Sequence, residues 1–144
     1  MSDLSIIDNE AVKRLEQFVL QAEQTDLQTQ HCLSGGVYAR TIFIPAGTIL
    51  TGATHKKDHV NIVFGDISVT TDTGVERITG YHVLPTKAGM KRAGFAHADT
   101  YWTTVCETQN TEIEEIEDEL VEESSQLQTR LQKLPATNFT ELEA

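Results

Sequence analysis

The chain has few basic residues. Lysine and arginine together number 11, against 22 aspartates and glutamates, so the formal net charge is -11 over 144 residues. Binding to nucleic acid requires clustered basic side chains that displace counterions from phosphates, and an anionic membrane would repel an acidic surface. We therefore expect neither nucleic acid nor a membrane among the partners.

Several signatures of chemistry are also missing. Cys32 and Cys106 lack metal-ligand spacing, and no glycine-rich phosphate loop, paired nucleophile and base or matched carboxylate pair occurs. No stretch has the roughly 20 apolar residues of a spanning helix, and the first residues do not resemble a signal peptide. We expect a soluble protein that is made in the cytoplasm, with reduced, structural cysteines.

The hydrophobic periodicity changes twice along the chain. Residues 9–24 place apolar side chains at steps of three and four, which predicts an amphipathic helix capped by Ser5 or Asp8. Between residues 37 and 107 the period becomes two, which predicts strands at 37–44, 48–50, 59–64, 67–71, 75–79, 81–84, 90–93 and 101–106.

Glycine, proline and aspartate residues lie between these predicted strands and indicate turns. Gly65-Asp66 is among the predicted turns, and Phe43 and Trp102 are predicted core residues. The pattern predicts a mainly β protein, a small antiparallel barrel or jelly roll with an amphipathic helix at each end. We divide the chain into an N-terminal helical arm (1–36), the barrel (37–107) and an acidic C-terminal helix with its tail (108–144).

The C-terminal segment is predicted to form one long helix. Thr111-Glu-Ile-Glu114 is a capping box, and the helix is predicted to continue to about Lys133. Its apolar residues recur at close to 3.5 residues, as in a coiled-coil seam, so we predict that it extends from the barrel and packs on its own copies or on a basic partner. The N-terminal helix either docks another subunit or lies on its own domain. The candidate interface residues are Ile113, Ile116, Leu120, Leu127 and Leu131, with Val12, Leu15, Phe18 and Val19.

Several short motifs in the middle of the chain suggest a family. Residues 44–48 (Ile-Pro-Ala-Gly-Thr), 55–59 (His-Lys-Lys-Asp-His), 65–69 (Gly-Asp-Ile-Ser-Val) and the stretch from Ala88-Gly89 to Val105 occur in a characteristic order. In this they resemble the cupin-like jelly-roll proteins, more closely the small ones of tailed phages and prophages. The resemblance implies a barrel that acts as a structural or accessory component of a virion-type assembly, without catalysis.

The resemblance also bears on a metal site. Metal-binding cupins use three histidines and a glutamate, and their first- and third-histidine positions fall here on Ala53 and Arg92. Because a guanidinium does not ligate a metal, we expect no cofactor. The alternative is a divergent enzyme that holds one divalent transition metal through His55, His59 and His97.

A third possibility is a cationic pocket in the barrel. Lys56 and Arg92, with Tyr81 nearby, would suit a small anionic ligand or a nucleotide, which the protein would bind or sequester. These three functions stay open at the level of sequence. We expect a homo-oligomer, a complex with other phage proteins, or both.

Overall fold

The computed structural model describes residues 8–127, and within them one antiparallel sheet flanked by two helices. No helix in this part of the chain is long and apolar enough to cross a membrane. The elements in order are α1 (Asn9–Val19), β1 (Thr29–Ser34), β2 (Val37–Ile44), β3 (Ile49–Thr51), β4 (His59–Thr71), β5 (Gly74–Thr86), β6 (Ala93–Ala96), β7 (Thr100–Glu107), α2 (Ile113–Leu120) and a 3-10 turn (Ser124–Gln126).

The sheet is organised around β4. Its hydrogen-bonded path is β1-β2-β7-β4-β6-β3, and β5 pairs with β4 over the full length of both strands. On its other edge β4 pairs with β7 over residues 60–64 and then with β6 over residues 67–69. The curled sheet forms a half-barrel whose concave side carries the odd-numbered residues of β4.

Two predicted breaks between strands prove to lie inside strands. Gly65 was predicted to start a turn, but β4 runs through it, and Gly65 pairs with Gly80 of β5. Both glycines have positive φ values, 153° and 82°. Glycine adopts such conformations readily, so the strands continue where another residue would favour a turn. The predicted breaks at Gly65-Asp66 and at Gly80 are therefore wrong, and a single long hairpin replaces four short strands.

Other strand boundaries differ less. The bounds of β2 are as predicted, whereas β6 lies at Ala93–Ala96 instead of at 90–93. Strand β1 was not predicted, because its sequence is polar, but it pairs with β2 along six residues. Trp102 packs, partly buried, against the first core cluster. Phe43 does not, because it points to the convex side and contacts Tyr101 there, with ring centroids 5.2 Å apart.

Residues 8–127 form two core clusters. The first lies between the curled halves of the sheet and contains Ile44, Val63, Ile67, Val69, Ile78 and Ala96. The second joins α2 to the end of the half-barrel and contains Tyr38, Cys106, Ile116, Leu120 and Val121.

The second cluster overturns two predictions about the C-terminal helix. Within the described residues α2 ends at Leu120, because Val121 adopts an extended conformation and forms a β-bridge with His55. Ile116 and Leu120 are buried against the chain's own sheet, with Ile113 and Leu127 partly buried beside them, so α2 does not extend into solvent. Leu131, like the rest of the stripe beyond residue 127, lies outside the described residues.

Of the two predicted helix starts, one is confirmed and one is wrong. Asp8 caps α1 as predicted, and its carboxylate accepts a hydrogen bond of 2.8 Å from the amide of Ala11. The predicted capping box at Thr111 does not form, because Glu112 is the N-cap and no side chain bonds the free amides. Of the candidate interface residues on α1, Val12 is buried, Leu15 and Val19 are partly buried, and Phe18 is 74% exposed.

Candidate functional site: an arginine-lined cavity

The concave side of the sheet lines an open cavity of about 900 Å³. Its walls come from the inward-facing residues of β2, β4 and β7, from β3 and the segment after it, and from α1 and α2. A space of this size falls in the range of small-molecule sites. Its lining is unusual for a barrel interior because polar and charged side chains occupy one part of it, among them Arg40, Arg92, His55, His59 and Asn61.

Two arginines lie in the cavity wall. Arg92 donates from Nη1 to the Thr70 carbonyl at 2.8 Å and from Nη2 to the Thr86 hydroxyl at 3.0 Å. Its guanidinium carbon lies 5.9 Å from the ring centre of Trp102. Burial lowers the pKa of Arg92 from its ordinary value, although Asp72 and Glu76 oppose the shift.

Arg40 reaches the cavity from β2 and has fewer partners. It takes part in none of the ion pairs found between residues 8 and 127. Within the same residues, the Nε atoms of both Arg40 and Arg92 are buried without a hydrogen-bond partner. A buried donor that lacks an acceptor costs about 1–3 kcal/mol, and more when it is charged. This part of the cavity wall therefore offers donors that need an acceptor.

Two histidines face the same cavity. The ring centres of His55 and His59 are 4.2 Å apart. Burial lowers the pKa of His55 to about 3, and the charges of His59 and Arg40 act in the same direction. Burial also lowers the pKa of His59. Nδ1 of His59 donates to the Lys57 carbonyl at 3.0 Å, since a carbonyl only accepts, and this leaves Nε2 as an acceptor. Both rings are neutral near pH 7.

A pH dependence of stability follows from the buried histidines. Burial, with the charge of Arg40, also lowers the pKa of His31 to about 4. Above pH 6.5, the ordinary value, both the folded and the unfolded chain hold His31 and His55 neutral, so neither residue contributes. Below it the unfolded chain takes up protons that the folded chain excludes. We expect the free energy of unfolding to fall by up to about 1.4 kcal/mol per pH unit for each histidine as the pH drops.

Urea unfolding between pH 6.5 and 4.5 tests this dependence. Glu123, whose pKa its hydrogen bonds lower in the folded chain, also contributes stability that is lost as the pH falls, but mainly below the ordinary value of 4.5. His55→Gln should reduce the slope. The matched change His82→Gln, at an exposed ring bonded to the Thr79 carbonyl, should leave it unchanged. Equal slopes in all three proteins would contradict the assignment to His55.

The structure separates the other predicted site residues. His97 is exposed on the far side of the sheet, where Nε2 lies 2.7 Å from the Ser68 hydroxyl and the ring contacts Phe95. Tyr81 is 65% exposed on the convex side. Lys56 points along α2 and donates to the Asp118 carbonyl at 2.8 Å. Of the predicted metal and ligand residues, only His55, His59 and Arg92 line the cavity.

The donors present do not fit the metal site of the family that the sequence resembles. His55 and His59 meet, but Ala53 supplies no ligand and Arg92 supplies a cation. Between residues 8 and 127, no group of three or more His, Cys, Asp or Glu side chains is arranged to hold a metal ion. A transition metal in a protein usually has at least three protein ligands.

A buried ion cluster in the cavity wall was not predicted. Lys91, whose side chain is 1% exposed, donates to Glu123 at 2.6 Å and to the Gly52 carbonyl at 2.8 Å, and its Nζ lies 3.0 Å from Glu16. Glu123 also accepts from the amide and hydroxyl of Thr54. Burial alone would raise the pKa of Glu123, but the bonds from Lys91 and Thr54 lower it overall. The cluster ties α1 and the segment after α2 to the sheet.

Sequence alternation carried a signal for Arg40 that was missed. Tyr38, Arg40, Ile42 and Ile44 share one face of β2, and an arginine among large apolar residues on one face marks an inward charge. No comparable local signal exists for Lys91, because its partners are far away in sequence.

A curled antiparallel sheet around a ligand-sized interior is the architecture of cupin-like proteins, and comparison with solved structures supports this class. A cupin 2 conserved barrel domain protein from Leptotrichia buccalis matches with a TM-score of 0.51 and 10% identity, over 65% of this chain and 46% of that one. A candidate ethanolamine utilization protein Q from Salmonella typhimurium gives 0.50 and 12%, over 62% and 75%. A cupin superfamily protein from Desulfitobacterium hafniense gives 0.49 and 14%, over 61% and 83%.

These similarities concern the fold alone. No protein-family model matches the chain, and none of the curated proteins is detectably similar to it. The fold is therefore cupin-like, and the phage origin that the sequence suggested gains no support from the Leptotrichia and Salmonella structures. Because this fold hosts many functions, a function has to be argued from the cavity itself.

Proposed function

We propose that the protein binds a small organic anion, a carboxylate or a phosphate, inside the half-barrel and performs no chemistry on it. One observation carries the proposal: the cavity wall holds two arginines whose Nε donors are buried without an acceptor among residues 8–127. Guanidinium groups pair with carboxylate and phosphate oxygens through two parallel hydrogen bonds. An anion in the cavity would supply the acceptors that residues 8–127 do not.

The surroundings of the arginines suit such a ligand. The neutral rings of His55 and His59 offer hydrogen bonds without adding charge, and Trp102 offers a flat apolar surface. The acidic side chains of Glu16 and Glu123 in the same wall are bonded to Lys91, which reduces their repulsion of an anion. Glu117 is a third acidic residue in this wall, and its side chain is buried. Because the whole chain carries a charge of -11, we expect weak binding of anions elsewhere.

Calorimetric titration of the full chain with inorganic phosphate and with succinate tests the proposal. We expect saturable binding to one site and a higher melting temperature in the presence of the bound anion. Arg40→Met should weaken binding at least about 10-fold, because it removes charge-assisted hydrogen bonds. In the absence of anion the same change should leave stability equal or higher, since it removes a buried donor without an acceptor.

The matched control is Arg14→Met, at an exposed arginine of α1 outside the cavity wall. It should bind as the unchanged chain does. If neither phosphate nor succinate shows saturable binding, the proposal is contradicted. Ordered water would then be enough to satisfy the hydrogen-bond donors of the two arginines. Elemental analysis of the same samples tests the expectation of no cofactor: one equivalent of a transition metal would favour the divergent enzyme over the binding protein.

A second candidate function is the one predicted from sequence, a non-catalytic structural or accessory component of a larger, virion-type assembly, but with the sheet in place of the predicted helical arms as the contact surface. The observation that favours assembly is the set of exposed large apolar residues on the sheet, including Phe64 and Tyr81 at 58% and 65% exposure. Monomeric proteins rarely expose such residues side by side. This function is compatible with anion binding, because the two use opposite faces of the sheet.

A further inference from the structure

The convex side of the sheet is apolar and uncharged over a wide area. The outward-facing positions of residues 37–43, 60–64, 81–85 and 101–105 belong to four adjacent strands, and none of them carries a charge. An aromatic row crosses these strands: Tyr81 pairs with Phe64, Phe64 with Tyr101, and Tyr101 with Phe43. We call this surface the outer apolar face.

The polarity of the sheet is inverted in this region. In β4, His59 and Asn61 point into the cavity, whereas Val60 and Phe64 point outward. A sheet with one solvated side normally shows the opposite arrangement, with apolar residues inside and polar residues outside. Phe64, Tyr81, Val83 and Tyr101 remain 48–65% exposed. Neither α1 nor α2 covers them, since both helices line the cavity on the other side.

We propose that the outer apolar face is the interface of a homodimer in which two copies stack sheet against sheet. The distribution of charge over the surface favours a second copy of this chain as the partner. A net charge of -11 opposes self-association through most of the surface, but two uncharged faces can meet without opposing like charges. Each end of the face carries both signs, in the pairs Asp58–Lys87 and Asp66–Arg77, so a two-fold arrangement can place acid of one copy near base of the other.

The size of the face also fits a dimer. Four strands about 4.8 Å apart, over about six residues of 3.3 Å each, cover roughly 400 Å² in projection. A standard interface buries about 800 Å² per partner, with an apolar centre and a polar rim. The outer apolar face would supply the centre, and its charged ends the rim. This surface is distinct from the helix residues that the sequence pointed to, of which Ile116 and Leu120 are buried within the chain.

Analytical ultracentrifugation of the full chain over a wide concentration range tests the proposal. We expect a dimer, and we expect Phe64→Lys to raise the dissociation constant at least about 30-fold, because it places two lysines in the apolar centre. Val83→Lys, on the neighbouring strand, should act in the same direction. The matched control is Val75→Lys, which alters an equally exposed valine of β5 outside the face and should leave the dimer intact.

Circular dichroism and thermal unfolding establish whether each variant is folded. If Phe64→Lys does not fold, Val83→Lys takes its place as the test of the outer apolar face. A monomer at every concentration would overturn the proposal. So would a dimer that survives both face variants, or one that Val75→Lys disrupts equally. If the unchanged chain is a monomer but binds a different protein through Phe64, the second copy is the wrong occupant. Anion binding is measured separately, so its failure would leave this result unaffected.

Discussion

Replacing Lys91 by methionine is expected to lower the free energy of unfolding by about 3–5 kcal/mol. The Lys91 side chain is 1% exposed and lies between two carboxylates, at 2.6 Å from Glu123 and 3.0 Å from Glu16. Methionine has a similar volume but no charge, so two partly buried acids would lose their common cation. The ion pairs through which Lys91 joins α1 and the segment after α2 to the sheet would be lost together.

Urea unfolding measures the loss, and Lys13→Met is the matched control. Lys13 pairs with Glu10 at 3.4 Å, but both side chains are more than half exposed, so the change should cost less than about 1 kcal/mol. The double change Lys91→Met with Glu123→Gln should recover part of the stability, because it removes one of the uncompensated charges. Equal effects of the two lysine changes would show that the buried cluster contributes no more than a surface pair.

Much of the sheet was predictable because alternation is a local property. In β2, the residues from Val37 to Ile44 alternate between cavity and convex side, and both bounds of this strand agree with the pattern. The long β4–β5 hairpin was not predictable in the same way. Glycine usually marks a turn, and only the pairing of Gly65 with Gly80 across the hairpin shows that both belong to continuous strands.

The direction of each face was harder to predict than the strand itself. Residues 60–64 read Val-Asn-Ile-Val-Phe, which is apolar at nearly every position, so the pattern does not say which side is inward. Tertiary contacts decide it: Asn61 accepts from Thr86 and donates to Thr104 inside the cavity, whereas Phe64 stays outside. The polar side chains in this part of the cavity wall and the apolar residues on the convex side follow from these contacts, and both proposals above depend on them.

The candidate site could be predicted in part. The sequence groups the two histidines of residues 55–59 as candidate site residues, and the structure brings their rings together, with His55 before β4 in a bridge with Val121. His97 was grouped with them by residue type alone, and the sheet places it elsewhere. The end of α2 was missed because a bridge between residues 55 and 121 is not encoded in the periodicity of either segment.

Gly65 leads to the second large expected effect. Its φ is 153°, and a Cβ built there would lie 2.7 Å from Cα of Thr100 and 2.8 Å from the Asp99 carbonyl oxygen, besides meeting the Thr100 hydroxyl. Thr100 is fully buried, and its hydroxyl is fixed between the Asp66 amide at 3.1 Å and the Ala98 carbonyl at 2.9 Å. The neighbours of Gly65 are therefore backbone and a bonded side chain, which move only if β4 and β7 separate.

Gly65→Ala is expected to cost about 3 kcal/mol or more, as changes that force backbone apart do. The matched variant Gly80→Ala distinguishes the cost of this steric clash from the cost of the backbone conformation alone. Gly80 has a φ of 82°, but nothing lies within 4 Å of a Cβ built there. It should cost only about 1–2 kcal/mol, the penalty for a left-handed conformation. Urea unfolding of both variants measures the difference. Equal losses would mean that the contact with Thr100 relaxes, and that β7 is not held against β4 as closely as the structure has it.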